Sequence, residues 1–392
     1  MRRLTVMLLV NDLRIGGAER QLVELAHGLD KTRFRAIVVT LYPGQPFEKD
    51  LCDVPGVELR SLNRRGKYDA VALLRLVSLM RRERVDVVQP FLTPATAFGL
   101  TAALIARTPV KIVTERCGVR LNTHLGNNLY RFVEDRLTRF ANAAIPNSEA
   151  GAVYLRSRGI SDNKIRVIYN GVAPERVQLD ASRRAALRKQ LGVAEESPLI
   201  GIVASLTPAK DHVTLLNAAA IVLREVPDAK FLLVGDGPLR ADLERRASTL
   251  GLSGSVIFAG HQTEVAGYIG AMDLAVLSSC DHEGCSNFLL EAMGLGRPMV
   301  ATDVGGNKEL AGDGVGALVP PSDPKKLAEA LLRVLSDREE AGRMGARGRE
   351  VFRERFTLEA MVGAYEDLYA QLWEDRDRKQ VRGRRQEAVG EG

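Results

Sequence analysis

The sequence predicts an α/β protein with two domains, each built on a doubly wound parallel sheet. Short buried-strand patterns alternate with amphipathic helical patterns along most of the chain, which is typical of parallel sheets with helical crossovers. Several of these strands run directly into glycine turns that open helices. The length of 392 residues suits two such domains better than one.

The first half begins with a strand pattern at Leu4–Val10, followed by the loop Asn11–Gly17 and a helix at Ala18–Leu29. Arg2 and Arg3 together with the apolar run Leu4–Val10 resemble a short signal peptide. No small-residue cleavage site follows, so we interpret Leu4–Val10 as the first strand. A further helix is predicted at Ala95–Ala106. The other predicted strands of this half are Phe34–Leu41, Val85–Val88, Val110–Thr114 and Ala143–Asn147.

Basic residues are concentrated in this half. Residues 1–170 carry 27 Lys+Arg and 16 Asp+Glu, a net charge of +11, while the remainder has a net charge of −5. Such a charge indicates an anionic partner, for example a lipid phosphate, a membrane face or an acidic glycan. Nucleic acid is the competing reading, and we rank it lower because no recognisable nucleic-acid module accompanies the charge.

Two basic amphipathic stretches contribute to this charge, Tyr68–Arg84 and Leu125–Phe140. The ordinary interpretation is a helix with one face in the core and one in solvent. The alternative is a surface that docks on anionic lipid.

The four cysteines are Cys52, Cys117, Cys280 and Cys285. They show neither zinc-ligand spacing nor a disulfide framework, which favours a reducing cytoplasm. No apolar run reaches the ~18 residues of a transmembrane helix. We therefore expect a cytoplasmic protein whose contact with a membrane, if it has one, is peripheral.

The second half repeats the same plan. Helices are predicted at Val213–Val226 and Asn287–Gly294. Lys210 lies in a loop between a strand and a helix start, where a cation can meet a phosphate. The predicted strands are Leu199–Ala204, Lys230–Val234, Ser255–Phe258, Ala271–Leu277, Pro298–Thr302 and Gly316–Val319.

The stretch Ser278–Glu291 carries the predicted chemistry. Glu283 and Glu291 are eight positions apart, separated by a polar loop and a helix start. Glu283 then lies in the crevice beyond the carboxyl end of a strand, and Glu291 lies about one turn into the helix. This pattern predicts a nucleotide-diphosphate-sugar site with phosphate on the helix amides, ribose on Glu291 and sugar hydroxyls on Glu283. The spacing alone is common, so the prediction depends on the flanking strand and helix.

The 28 residues Glu283–Leu310 closely resemble the donor-site signature of retaining, GT-B-fold glycosyltransferases of family GT4. Further resemblance lies at Gly16–Ala26, Lys164–Val172 and the last apolar helix, Phe356–Trp373. The resemblance implies two Rossmann-like domains that face a cleft. It implies an acceptor-side domain at 1–172, a linker at 173–197, a nucleotide-sugar domain at 198–355 and a helix at 356–373 that crosses back. We expect the charged tail 374–392 to be disordered.

The resemblance further implies transfer of a sugar from a UDP- or GDP-sugar to a glycan or lipid-linked acceptor, with retained anomeric configuration. No metal or cofactor is expected, because the only Asp-x-Asp spacing is Asp375/Asp377 in the polar tail. Glu283 and Arg116 are the implied catalytic residues, with Glu283 orienting the sugar. The implied donor-binding residues are Gly16, Gly17, Ser205, Lys210, His261, Gln262, Gly284, Cys285, Ser286, Asn287, Phe288, Leu289 and Glu291.

The sequence departs from the family pattern at two places. Ser205 stands where many members have arginine, and Glu115-Arg116 stands where many have histidine. Arg116 serves the acceptor or the donor phosphate, or it is a surface ion-pair residue; His124 is the other candidate for the missing histidine. These departures keep open a non-catalytic scaffold that binds sugar nucleotide or membrane. A nucleotide-sugar epimerase on the same fold is a second enzyme interpretation, which is disfavoured because such sites look different around the acidic pair.

Overall fold

The computed structural model describes residues 2–66, 69–116, 134–178, 181–281 and 283–390. These residues divide into two compact units. The N-terminal unit takes the described residues up to Tyr169 and those from Leu358 onward, and the C-terminal unit takes Asn170–Thr357. The predicted linker 173–197 therefore lies inside the C-terminal unit, and the divisions fall at 169/170 and 357/358 rather than at the predicted 172/173 and 355/356.

The N-terminal unit contains one parallel six-stranded sheet in the order β3-β2-β1-β4-β5-β6. All seven residues of its central strand β1 are buried, as expected when helices cover both faces of a sheet. Its strands are β1 (Leu4–Val10), β2 (Phe34–Thr40), β3 (Val57–Ser61), β4 (Val87–Pro90), β5 (Val110–Glu115) and β6 (Ala143–Pro146). Its helices are α1 (Gly17–Gly28), α2 (Ala70–Arg82), α3 (Ala95–Ala106) and α4 (Glu149–Ser157).

The C-terminal unit repeats this topology with the order β9-β8-β7-β10-β11-β12. Its strands are β7 (Leu199–Val203), β8 (Lys230–Val234), β9 (Val256–Gly260), β10 (Leu274–Leu277), β11 (Met299–Thr302) and β12 (Ala317–Val319). Its first helices are α5 (Ala181–Gln190), α6 (His212–Glu225), α7 (Arg240–Thr249) and α8 (Ala266–Ala271). They are followed by α9 (Asn287–Gly294), α10 (Asn307–Ala311), α11 (Pro324–Ser336) and α12 (Arg338–Arg355).

The last helix, α13 (Leu358–Gly390), belongs to the N-terminal unit. Tyr365 and Tyr369 pack in the same apolar cluster as β1, and the Tyr369 hydroxyl donates to Gln89 Oε1 at 2.5 Å. For the described part of the tail that was predicted to be disordered, 374–390, the structure instead has a continuation of α13 to Gly390. The reason is local: Arg, Glu, Gln and Ala are strong helix formers and extend a helix that is already nucleated by packed residues.

No helix among the residues that the structure describes combines the length and the apolar character needed to span a bilayer.

Candidate active site

The strand order of the C-terminal sheet indicates where a ligand would bind. In the C-terminal unit, β7 and β10 are neighbours at the centre of the sheet, and the chain leaves them toward opposite edges. Ligands of doubly wound sheets bind at such a switch point, outside the carboxyl ends of the strands. The loop 204–211 follows β7, and the described loop residues 278–281 and 283–286 follow β10, so these two segments form the walls of the crevice.

An ion pair joins the two loops. Lys210 Nζ donates to Glu283 Oε1, and Ser279 Oγ donates to the same oxygen at 2.6 Å. Backbone contacts tie the loops as well: Cys280 N donates to Ala209 O at 3.0 Å. The Glu283 side chain is 7% exposed and that of Lys210 is 25% exposed. The carboxylate is therefore fixed and shielded, while the ammonium group stays within reach of a ligand.

A third loop holds Glu283 from the side of β11. Gly306 N donates to the Glu283 carbonyl oxygen at 3.0 Å, and Thr302 Oγ1 donates to Ser279 O at 2.5 Å. Gly305 has φ +53°, and a Cβ there would lie 1.9 Å from the Glu283 carbonyl oxygen. Only glycine fits this approach, so the glycine turn has a steric role in positioning Glu283.

Helix α9 begins at the same edge of the sheet. The side chain of Ser286 caps it by accepting from Leu289 N, as N-cap serines commonly do. Asn170 Nδ2 donates to Cys285 O and to Asn287 Oδ1, both at 2.7 Å. The start of α9 is therefore held by its own cap, Ser286, and by the side chain of Asn170.

Glu291 lies one turn into α9 and is 2% exposed. Its Oε1 accepts from Arg176 Nη2. In this structure the carboxylate is thus engaged by an arginine of the segment before α5. Its contact with a ribose stays a prediction.

The other donor-binding residues predicted in this unit lie in the loop after β7, in the loop after β9, or between β10 and the first turn of α9. Gly284, Cys285, Phe288 and Leu289 are buried. Ser205 is exposed, with its Oγ 3.4 Å from Thr207 Oγ1. His261 and Gln262 come directly after β9, where His261 is exposed and Gln262 Nε2 donates to Ala259 O at 2.8 Å. All of them lie beyond the carboxyl ends of strands or at the helix start.

The remaining predicted residues lie in the N-terminal unit. Gly16 and Gly17 open α1 after β1. Arg116 is buried: its Nη2 donates to the Tyr365 hydroxyl at 3.2 Å, and its guanidinium lies 4.7 Å from the centre of the Phe91 ring. The alternative of a surface ion-pair residue does not describe it, since Arg116 packs between a strand end and α13. His124, the other candidate for the missing histidine, lies outside the described residues, as does His282.

Four residues of the site were not singled out from the sequence: Ser279, Asn170, Arg176 and Thr302. Ser279 lies in the stretch that carried the prediction, and its hydroxyl next to a strand end was the available signal. Asn170 lies in the segment that resembles the family. The sequence holds no signal for Arg176, because its partner Glu291 is 115 positions away.

A buried histidine stands beside the lysine. His212 is 1% exposed, and neither ring nitrogen has a hydrogen-bond partner among the described residues. Burial, assisted by the nearby Lys210 ammonium, lowers the pKa of His212 from 6.5 to about 4. The folded protein therefore keeps this ring neutral at pH values where the unfolded chain protonates it.

We expect this histidine to make stability pH-dependent. The pKa of His212 is lower in the folded state than in the unfolded state. Its contribution to the stability of the folded state is therefore fully present above about pH 6.5 and is lost as the pH falls toward about 4. Between pH 7 and pH 4.5 the free energy of unfolding should fall by about 2–3 kcal/mol from this group. Urea unfolding at the two pH values measures the difference. In the variant His212→Leu, the free energy of unfolding should no longer show this fall between the two pH values. The control variant His261→Gln, at an exposed histidine, should keep it. An equal fall in both variants would contradict the assignment.

Among the described residues, no group of three or more His, Cys, Asp or Glu side chains is arranged to hold a metal ion. Independence from a metal remains a prediction that needs an experiment.

Two family models match the chain. The model of glycosyl transferases group 1 matches residues 183–351, and that of glycosyltransferase family 4 matches residues 15–176. The chain is 30% identical over 319 residues to an N-acetyl-alpha-D-glucosaminyl L-malate synthase of Bacillus anthracis, covering 79% of this chain and 80% of that protein.

A second relative is an Escherichia coli UDP-Gal:alpha-D-GlcNAc-diphosphoundecaprenol alpha-1,3-galactosyltransferase, 26% identical and covering 69% of this chain and 71% of that protein. Among solved structures, Anabaena Alr3699/HepE in complex with UDP-glucose is similar with a TM-score of 0.81 and 25% identity, covering 94% of this chain and all of that one. The predicted fold of two Rossmann-like domains of the GT-B type is confirmed.

Proposed function

The chain belongs to the group 1, family 4 glycosyltransferases, and from this premise we propose that it transfers a sugar from a UDP- or GDP-sugar to a glycan or lipid-linked acceptor. We further propose that the transfer retains the anomeric configuration and needs no metal. The observation that carries the proposal is the Lys210–Glu283 pair at the switch point of the C-terminal sheet.

In this proposal Lys210 stabilises the leaving group. Breaking the bond between the anomeric carbon and the phosphate oxygen leaves negative charge on a nucleoside diphosphate. Without a metal, that charge must be met by a cation and by backbone amides. The Lys210 ammonium is partly exposed at the same edge of the sheet as the start of α9, which is a natural anion site.

Glu283 holds the sugar in the same proposal. Ser279 holds its carboxylate and the glycine turn at Gly305 packs against its backbone carbonyl, so its carboxylate oxygens can accept from sugar hydroxyls in one orientation. On donor binding, the ammonium of Lys210 exchanges one anionic partner, Glu283, for another, the diphosphate. The acceptor oxygen then bonds to the anomeric carbon on the face that the phosphate leaves, and its proton passes to the departing phosphate oxygen.

The acceptor is the least constrained part of the proposal. The E. coli relative is named for a diphosphoundecaprenol-linked acceptor, and the B. anthracis relative is named for malate. An acceptor with negative charge fits the net charge of +11 over residues 1–170. The UDP-glucose complex of the Anabaena neighbour favours UDP over GDP as the carrier.

Thermal-shift screening against UDP, GDP, ADP and their sugars tests the donor, because a bound ligand stabilises the folded state by mass action. We expect a uridine or guanosine diphosphate to raise the melting temperature. Donor turnover, followed as nucleotide release, should change by less than about twofold with EDTA. Turnover that requires added Mg²⁺ or Mn²⁺ would refute metal independence, and an inverted anomer in the NMR spectrum of the product would refute retention.

A further inference from the structure

A cavity of about 670 Å³ opens in the N-terminal unit between α13 and the start of β6. One wall is formed by residues 140–143, where β6 begins, and a second by residues 163–166, a segment that pairs with β6. The third wall is α13 from Leu368 to Arg376. We call this space the β6 cavity. Its volume is within the ~300–1,000 Å³ that is usual for small-molecule sites.

The β6 cavity lies at the amino edge of the N-terminal sheet. Two of its lining residues, Phe140 and Asn142, come directly before β6. Asn142 Oδ1 also accepts from the backbone N–H of Lys111 at 2.9 Å, next to the start of β5. Ligands of doubly wound sheets bind at the opposite, carboxyl edge. The transfer reaction therefore does not account for this cavity.

Three of the described lining side chains are cations: Lys164, Arg166 and Arg376. Lys164 Nζ donates to the carbonyl oxygen of Arg139 at 2.9 Å, and Arg166 Nη1 donates to that of Ile165 at 2.8 Å. Among the described residues, neither Lys164 nor Arg166 is paired with a carboxylate. An ammonium group has three donors and a guanidinium group has five, so both side chains can also bind a ligand.

The positive charge around the β6 cavity is only partly balanced. Among the described lining residues, Asp375 is the one acid, and Arg376 lies 3.7 Å from Asp377, which is exposed. Burial, together with the charge of Arg376, lowers the pKa of Lys111. Like charges that lie close together destabilise one another. An anionic ligand would reduce this repulsion, so the electrostatics of the cavity favour one.

The rest of the lining suits a sugar. The Phe140 side chain is 61% exposed, and the face of an aromatic ring is apolar and partially negative. The C–H groups of a pyranose ring can pack against such a face. The amides of Asn142, Asn163 and Gln371 line the same cavity, and each carries donors and an acceptor. Amides of this kind match the hydroxyl groups of a carbohydrate.

A nucleotide is the competing ligand. Phosphate groups are commonly bound by a helix start or by a glycine-rich loop. No glycine is present among the described lining residues, and α13 contributes residues from its interior rather than from its start. The lining therefore favours a ligand with hydroxyl groups and separate acidic groups over one with a chain of phosphates.

We propose that the β6 cavity binds an acidic glycan, at a second site separate from that of sugar transfer. Lys164, Arg166 and Arg376 pair with carboxylates of the glycan, and Phe140 packs against one of its sugar rings. The net charge of +11 over residues 1–170 indicates an anionic partner, and this cavity selects the glycan among such partners. Binding does not depend on transfer. In a point that rests on the proposed function, the cavity would hold an acidic acceptor or product chain away from its reacting end.

Titration calorimetry of the full chain with tetragalacturonic acid, which carries a carboxylate on every sugar, tests the proposal. We expect the acid to bind, its uncharged methyl ester to bind weakly, and about 0.5 M NaCl to weaken binding of the acid. The variant K164Q/R166Q should lower the affinity roughly tenfold or more, and R376Q should lower it about threefold or more. F140A should lower it about threefold or more, whereas F140Y, which keeps the ring, should not.

The matched control is K49Q/R60Q, which removes the same charge from exposed residues before and on β3, at the other end of the sheet. It should bind the acid like the parent protein. The melting temperature of each variant shows that it is folded. Equal affinity of K164Q/R166Q and the control would overturn the proposal, and so would equal binding of the acid and its ester.

Two further probes separate the competing ligands. Tighter binding of UMP or of inorganic phosphate than of the tetrasaccharide, lost in K164Q/R166Q, would assign the cavity to phosphate and overturn the proposal. Sugar transfer by a protein that does not bind the acid would overturn this inference and leave the proposed function intact. Binding of the acid that depends on Lys164 and Arg166, in a protein that transfers no sugar, would contradict the proposed function alone.

Discussion

Replacing Glu283 with glutamine is expected to lower kcat/KM for sugar transfer by ~100-fold or more, the typical effect of removing a key electrostatic contact in the transition state. Glutamine keeps the size of the side chain and can still accept from Ser279 Oγ, which lies 2.6 Å from Oε1. The loss would therefore reflect the missing charge rather than a collapsed loop. Initial-rate kinetics with the donor identified by thermal shift measure the effect.

Binding of the nucleoside diphosphate alone should respond in the opposite way. Lys210 Nζ pairs with Glu283 in this structure, so a neutral residue at 283 frees the ammonium for phosphate. We expect E283Q to bind UDP or GDP as tightly as the parent or more tightly, which separates the carboxylate from simple unfolding. E339Q is a matched control, since Glu339 is 85% exposed in an ion pair on α12. Undiminished transfer by E283Q would refute the assignment of Glu283, and a parent protein that binds the diphosphate but transfers no sugar would favour a non-catalytic scaffold.

Replacing Lys210 with methionine is expected to reduce transfer by ~100-fold or more as well, but with a different pattern. The affinity for the nucleoside diphosphate should also fall, because the lost contact is the charge-assisted one to phosphate. Titration calorimetry with the diphosphate, together with kinetics, measures both effects. K326M, which breaks an exposed ion pair with Glu329 on α11, should leave both unchanged.

The K210M variant also leaves Glu283 without its cation, and the Glu283 side chain is only 7% exposed. Loss of one partner from a shielded pair destabilises a protein because the other charge stays desolvated. The double variant K210M/E283Q should therefore be more stable than K210M and yet remain inactive. Recovery of transfer in the double variant would mean that Lys210 acts only as a structural partner of Glu283.

The sequence predicted the regular elements best where the pattern was strong. The bounds predicted for β1, α3 and α9 agree with the structure, because a continuous apolar run or a clear helical period is set by local residues. β3 (Val57–Ser61) was missed: it is an edge strand of half-buried and exposed residues, so it lacks the apolar run that identifies a central strand.

The candidate site was predictable in position but not in its contacts. The strand, loop and helix around Glu283 could be read from consecutive residues, and topology then brings Lys210 beside it. The pairing of Arg176 with Glu291 and that of Arg116 with Tyr365 join residues 115 and 249 positions apart. Such contacts depend on how helices pack, which no local pattern specifies. The tail was also not predictable from a local pattern. Its composition predicted disorder, whereas its helix-forming residues continue α13 to Gly390.

A crystal structure of the chain with bound UDP or GDP tests the central claim most directly. The account predicts the diphosphate within hydrogen-bonding distance of Lys210 Nζ and of the first amides of α9, with the ribose toward Glu291. A nucleotide bound at the opposite edge of the C-terminal sheet, with the Lys210–Glu283 ion pair undisturbed, would contradict it.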